Sequence, residues 1–357
     1  MANKTYLVEL TPIGNYFFGS ETTFNATDKA AGDMISNYLV RSRMFPQQST
    51  LLGLMRYIIL LTEEGFNKPA DIKKEMIGES SFQGDEVGAP TSWGKIVSIS
   101  PLFIKKDNNK YVIAGQDRQV YTESKNLIPK IRPNAASSFS NEFYSFQNLD
   151  AKKPAQLLWR NTADNNDLLN AEKVFIESYQ IGIKKSFEGK SEDDAFYKQY
   201  FYKMVKGFRF AFYLTTKVDL INCSEPFIVP FGADQSLFQV KIKEEQDTIF
   251  CNNRPIEGRC RITFLSDVFC KPSILNYCYA AITNSIDFRY IKTNVKTSRF
   301  YNMGKGALDM QKSAKLNLLE RGSVLYTDKS DELLKELESH KSYLNVGFNH
   351  CSIESLN

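Results

Sequence analysis

Met44-Phe45-Pro46-Gln47-Gln48-Ser49-Thr50-Leu51-Leu52-Gly53-Leu54-Met55-Arg56 turns from polar to apolar at Leu51. Leu51, Leu54, Met55, Ile58 and Ile59 recur three and four residues apart, a spacing that predicts a helix from about Leu51 to Glu63 with a broad buried face. Ser49 or Thr50 is the expected N-cap. Upstream, Lys4 to Leu10 reads as a strand with Tyr6, Val8 and Leu10 on one face, and a polar loop rich in Asn, Thr and Asp follows the Pro12–Gly14 turn. Downstream, beyond a charged stretch at Lys68 to Ser80, Ile96 to Ile104 and Lys110 to Ile113 read as a hairpin turning at Lys106-Asp107-Asn108-Asn109.

A strand, a long loop, a helix and a hairpin are how a ferredoxin-like half begins, and 357 residues are enough for two such halves. Tyr121 to Asn170 carries little periodicity and reads as an irregular insertion. Lys173 to Ile183 and Ala195 to Met204 form a second, projecting hairpin, and Phe208 to Leu214 is the clearest strand of the chain. Leu237 to Ile242, Arg259 to Phe264 and Glu320 to Tyr326 are further strands, Ser273 to Ile282 and Asp331 to Ser339 helices. Mixed elements without regular βαβ alternation predict an α+β fold. The boundary between the two units is expected near Lys217, giving 1–217 and 218–357.

Composition narrows the function classes. Apolar residues make up 42% and charged residues 24%, a globular balance; most of the 26 Phe and 18 Tyr are expected in the core, with a minority free to offer stacking faces to bases. The net charge is only +4, so any polyanion must be held by a local groove. Two basic stretches stand out: Arg41, Arg43 and Arg56 around the helix start, and Arg289 to Arg321, where only Asp309 and Glu320 oppose eight cations. The N-terminus lacks the pattern of a secretory signal, and no apolar run is long enough for a bilayer, so a cytoplasmic protein is expected. None of the six cysteines stands in a CxxC pair and there are two histidines, which gives no metal site.

Catalytic constellations are equally absent. His340 and His350 lie near the C-terminus without a paired nucleophile, and His340 is expected on the exposed face of a charged helix. No phosphate-binding loop or dinucleotide fingerprint occurs, so no cofactor is expected. The candidate chemistry is that of holding a single-stranded nucleic acid. Gln47, Gln48, Ser49 and Thr50 place donors at a helix N-terminus, beside Arg41 and Arg43, with Arg56 farther along the same helix. Lys184 and Lys185 lie near the tip of the second hairpin. Arg299-Phe300-Tyr301-Asn302-Met303-Gly304-Lys305-Gly306 interleaves cations, aromatic rings and glycines, with Arg299, Asn302 and Lys305 as contacts.

Four segments, taken in order, resemble a known family. They are Phe17-Phe18-Gly19, Phe45-Pro46-Gln47-Gln48-Ser49-Thr50-Leu51-Leu52-Gly53-Leu54-Met55-Arg56, Ile181-Gly182-Ile183 with Phe196-Tyr197, and Leu319-Glu320-Arg321-Gly322-Ser323-Val324-Leu325-Tyr326 with Asn345-Val346-Gly347-Phe348. Together they resemble the Cmr-type (type III-B) member of the repeat-associated mysterious protein (RAMP) superfamily, which binds the 5′ tag of a CRISPR guide RNA. The turn Phe231-Gly232-Ala233-Asp234-Gln235-Ser236 departs from that family's Gly-Gly-Glu-Arg and lacks its positive charge. The resemblance implies two ferredoxin-like (RRM-like) domains with a protruding hairpin and long insertions, and no catalytic residues. It further implies a place in a hetero-oligomeric antiviral ribonucleoprotein. The partners would be crRNA, the large polymerase/cyclase-like subunit and a backbone RAMP subunit, with no membrane. The alternatives are a RAMP endoribonuclease that processes CRISPR transcripts, or the equivalent subunit of a type III-A complex.

Overall fold

The computed structural model describes residues 3–19, 23–26, 37–78, 82, 84, 93–117, 121–122, 125–126, 130–133, 144–147, 157–185, 191–220, 225–234, 236–250, 253–292 and 311–356. The expected contacts Arg299, Asn302 and Lys305 lie outside them. The architecture is α+β and dominated by antiparallel sheet.

The first strand, β1 (Lys4–Ile13), lies at the heart of a nine-stranded sheet. Its alternate residues Tyr6, Val8 and Leu10 enter the core as expected. On one side it pairs with Phe208–Thr216, which pairs in turn with Phe103–Lys106; on the other it pairs with Leu237–Glu244. These four strands are antiparallel. Numbered by their order in the chain, they lie side by side as second, third, first, fourth. The same order recurs in a four-stranded sheet near the C-terminus. There Cys278–Ile282, Val324–Thr327, Cys260–Phe264 and Cys351–Ser355 lie side by side, again all antiparallel.

Several expectations need correction. Helix α1 spans Gln48–Thr62 and starts at an N-cap of Gln47, whose side chain makes no capping bond. The start is set by burial: the Gln48 amide is drawn into the core, so neither Ser49 nor Thr50 caps. Ala70–Ile77, read as a merely charged stretch, is a second helix burying Met76 and Ile77. Within 121–170, Leu158–Asn161 and Leu168–Asn170 extend the large sheet beyond Asn109–Ile113, with Trp159 buried. Ser273 to Ile282 is a short 3-10 turn, Pro272–Tyr277, followed by a strand, because Cys278–Ile282 finds a ladder partner in Val324–Thr327. His340 is buried against Phe269 rather than exposed. Lys217 is not a sheet boundary, since Phe227–Pro230 and Leu237–Glu244 complete the first sheet.

The two sheets are joined by a shared core and by buried charge. Leu265, Phe288, Tyr290, Leu318, Tyr343, Val346 and Phe348 of the C-terminal half pack into the same cluster as α1 and β1. Arg261 donates from Nε and Nη2 to the two oxygens of Asp117, each at 2.6 Å, and the Tyr326 hydroxyl donates to Asp117 at 2.7 Å. Arg321 holds Asp267 through two guanidinium nitrogens at 3.1 and 2.9 Å, and its guanidinium carbon lies 4.3 Å from the centre of the Phe45 ring.

Candidate nucleic-acid interface

The long hairpin Phe175–Lys185 and Ser191–Met204 is the most extended element of the molecule. In its register Phe175 faces Met204, Glu177 faces Tyr202, Tyr179 faces Tyr200 and Ile181 faces Lys198. The period of two puts all of these on one face. At the hairpin's base this face is core, with Phe175 on Trp159 and Phe210 and Tyr202 near Tyr16. Farther out it emerges into solvent. Tyr179 is 57% exposed and its ring lies 5.9 Å from that of Tyr200.

Cations cover these rings. Lys198 Nζ lies 4.1 Å from the Tyr179 centroid and 4.8 Å from that of Tyr200. Arg41 reaches Tyr200 at 4.9 Å from the neighbouring strand Asn37–Arg41, which runs parallel to the hairpin's second strand. Hydrogen bonding to Tyr200 raises the Lys198 pKa, and the two tyrosines add to it, so the ammonium stays charged at neutral pH. The exposed Tyr179 ring and the half-buried Tyr200 ring, with Lys198 and Arg41 against them, bring aromatic surface and phosphate-binding charge together, the combination by which single strands are held.

The loop contacts around this face are specific. Ser42 N–H donates to the Tyr200 carbonyl, and Ser42 Oγ accepts from Phe18 N–H at 2.9 Å. Phe17 N–H donates to Ser236 Oγ, and Ala233 N–H donates to the Phe17 carbonyl. Gly232 has φ of +93°, and a Cβ there would stand 2.5 Å from the Phe17 oxygen, so the turn requires glycine. Asp234 in turn accepts from Gln199 of the hairpin. The Phe17–Gly19 turn, the 231–236 turn and the hairpin thus meet beside Arg41.

The residues expected to contact RNA fall into separate groups. Arg41 belongs to the exposed basic and aromatic face. Gln48 does not: its amide is fully buried and donates to the carbonyls of Ser100 and Val346, each at 2.9 Å. Arg43 donates to the Asp287 carbonyl at 2.9 Å and ties the two halves together. Gln47, Ser49, Thr50 and Arg56 are half-buried along α1. Lys184 and Lys185 end the first hairpin strand. Sequence reasoning passed over Tyr179, Lys198 and Tyr200; the alternation Lys198-x-Tyr200-x-Tyr202, set against Tyr179, was the available signal.

The ionisable groups elsewhere have structural settings. His350 is half-buried, burial lowers its pKa, and its Nε2 lies 3.2 Å from the Leu344 carbonyl. Burial pushes the Cys351 thiol up to about 12. Among the described residues no group of three His, Cys, Asp or Glu is placed to hold a metal, and no helix is long and apolar enough to cross a membrane.

Two like-ordered antiparallel sheets, sharing a core and carrying an exposed cationic and aromatic hairpin, define a mixed α+β scaffold with a face suited to binding. The comparisons specify it further. The profile of the family described as CRISPR-associated protein (Cas_Cmr3) matches residues 8–356, and the chain belongs to that family. No curated protein matches the chain. Among solved structures, it is similar to a chain of "Cryo-EM structure of the Type III-B Cmr-beta bound to cognate target RNA", at 11% identity and a TM-score of 0.52, covering 98% of this chain and 96% of that one. A chain of the same complex "bound to cognate target RNA and AMPPnP, state 1" aligns at 12% identity and a TM-score of 0.51, covering 97% and 95%. At such identities the likeness establishes a shared fold.

Proposed function

We propose that this chain is a non-catalytic crRNA-binding subunit of a cytoplasmic type III-B effector, holding the 5′ tag of the guide on its long hairpin. The observation that carries the reading is the cluster of exposed Tyr179 and Arg41 with half-buried Tyr200 and Lys198 on a protein of the Cas_Cmr3 family. Splayed tag bases stack on the two rings while Lys198 and Arg41 meet phosphates. Lys184 and Lys185 extend the same contact towards the hairpin tip, and Arg299, Asn302 and Lys305 supply further contacts. The chain bridges the large polymerase/cyclase-like subunit to the backbone RAMP subunits, and chemistry belongs to those partners.

Each four-stranded order second–third–first–fourth is that of a ferredoxin-like unit. We therefore read two such units, with the break between Glu244 and Cys260 rather than at Lys217. The first has α1 as its crossover; in the second the 3-10 turn Pro272–Tyr277 replaces the first helix and Ser330–Ser339 is the second.

Fluorescence anisotropy tests the reading with a guide RNA bearing its host's 5′ tag and the same RNA without it. Tighter binding of the tagged RNA is expected, and alanine at Tyr179 or Tyr200 should weaken it by about 1–3 kcal/mol for each base unstacked. Equal affinity for both RNAs, or a discrete cleavage product on incubation with repeat RNA, overturns it.

A further inference from the structure

The face of the large sheet turned away from α1 carries a second feature, remote from the tyrosines of the hairpin. Register places Lys105 opposite Arg209, Glu9 opposite Lys241, and Leu7 opposite Lys243. The buried Glu9 carboxylate takes Lys105 at 2.5 Å and Arg209 at 3.1 Å, and Glu245 takes Lys110 at 2.5 Å. Glu9, Lys105, Arg209 and Glu245, with Leu7, Asp107, Asn108, Lys241 and Lys243, border a shallow cleft of about 390 Å³. Lys241 and Lys243 are exposed and in no ion pair among the described residues. Farther along the same strands the face turns aliphatic. Ile13 faces Leu237 across the ladder, and Ile228 stands on the adjoining strand; they are 46%, 42% and 59% exposed.

We infer that this face docks a protein segment of a partner subunit, one presenting carboxylates to Lys241 and Lys243 and an apolar side chain to the Ile13–Leu237–Ile228 strip. Charge complementarity selects the occupant. Lys241 and Lys243 offer two positive charges, enough for one or two carboxylates, whereas Glu9 and Glu245 already offset the neighbouring cations and leave no continuous basic track for a run of phosphates. No aromatic residue lines the cleft to stack a base. Aliphatic surface beside paired charge is the make-up of a protein–protein contact, in which the lysines set orientation and the apolar strip supplies area. The inference rests on the reading of the chain as a subunit of a complex but not on its RNA contacts, because hairpin and cleft share no residue.

The test uses the intact complex purified through this chain from its host. A zero-length carbodiimide joins a lysine amine to a carboxylate in contact with it. Cross-links from Lys241 or Lys243 to an Asp or Glu of another subunit are expected. The charge reversal K241E/K243E should weaken partner retention about 10-fold at moderate salt. I228D should act in the same direction. Both variants should keep the thermal midpoint and the RNA affinity of the purified chain, which separates this result from any failure of the hairpin reading. Cross-links only within the chain or to a second copy of it, ultraviolet cross-links from 237–244 to guide RNA, or unchanged retention in both variants overturns the inference.

Discussion

Replacing Asp117 with alanine leaves the Arg261 guanidinium buried without its bidentate partner. Arg261 then keeps only Glu354, which is partly exposed, at 3.1 Å, and the Tyr326 hydroxyl loses its acceptor. Burial opposes the charge on Arg261, but the hydrogen bonds and field of Asp117 outweigh it and raise the guanidinium pKa. The variant cannot shed the charge, so the cost is that of an uncompensated buried ion, about 3–5 kcal/mol. The double variant D117L/R261M removes both charges and should recover most of that loss. Urea denaturation of the purified chain reads the effect through the fluorescence of its two buried tryptophans, Trp93 and Trp159, the latter in Leu158–Asn161. That strand is held beside this site by the Ala114 N–H donating to the Leu158 carbonyl. The midpoint should fall with the slope unchanged. A loss below about 1 kcal/mol, or a double variant as unstable as the single one, refutes the assignment of Asp117 and Arg261 as the buried tie between the sheets.

Gln48→Ala removes two buried amide bonds and should cost about 1–3 kcal/mol in the same assay while leaving RNA affinity unchanged, opposite to the behaviour of an RNA contact. Gly347→Ala should lower the thermal midpoint or abolish soluble expression, because φ is +90° and the added Cβ would stand 2.0 Å from Gln48 Nε2 and 2.5 Å from the Ser100 oxygen. Acid stability should depend on Asp267. Burial alone would raise its pKa, but Arg321 outweighs burial and lowers it. Its contribution is therefore fully present above the unfolded carboxylate value of about 3.9 and is lost as pH falls through the lower folded value. Urea midpoints measured from pH 5 to 2 should fall less steeply for Asp267→Asn than for the wild type.

Local pattern explains what could be read in advance. Tyr6, Val8 and Leu10 declared one core face, and Leu51 to Ile59 declared another, because each obeys a single period. The four segments Phe17–Gly19, Phe45–Arg56, Ile181–Ile183 and Leu319–Tyr326 were enough to point to the family, whose profile covers 8–356. Ser273 to Ile282 misled because its strand half depends on Val324–Thr327, some forty residues away. Gln48 misled for a similar reason: a polar residue at a helix mouth suits a phosphate as well as it suits two carbonyls from distant loops, and only Ser100 and Val346 decide. The hairpin face was missed because Tyr179 and Tyr200 become neighbours only once the register is fixed.

The central claim concerns where the guide sits. Ultraviolet cross-linking of the intact complex tests it most directly, with a guide carrying 4-thiouridine in its 5′ tag and mass spectrometry of the adducts. Adducts to this chain within 175–204, lost when Tyr179 and Tyr200 are both alanine, are the predicted result. Tag adducts confined to other subunits, or to parts of this chain away from the hairpin, would contradict it.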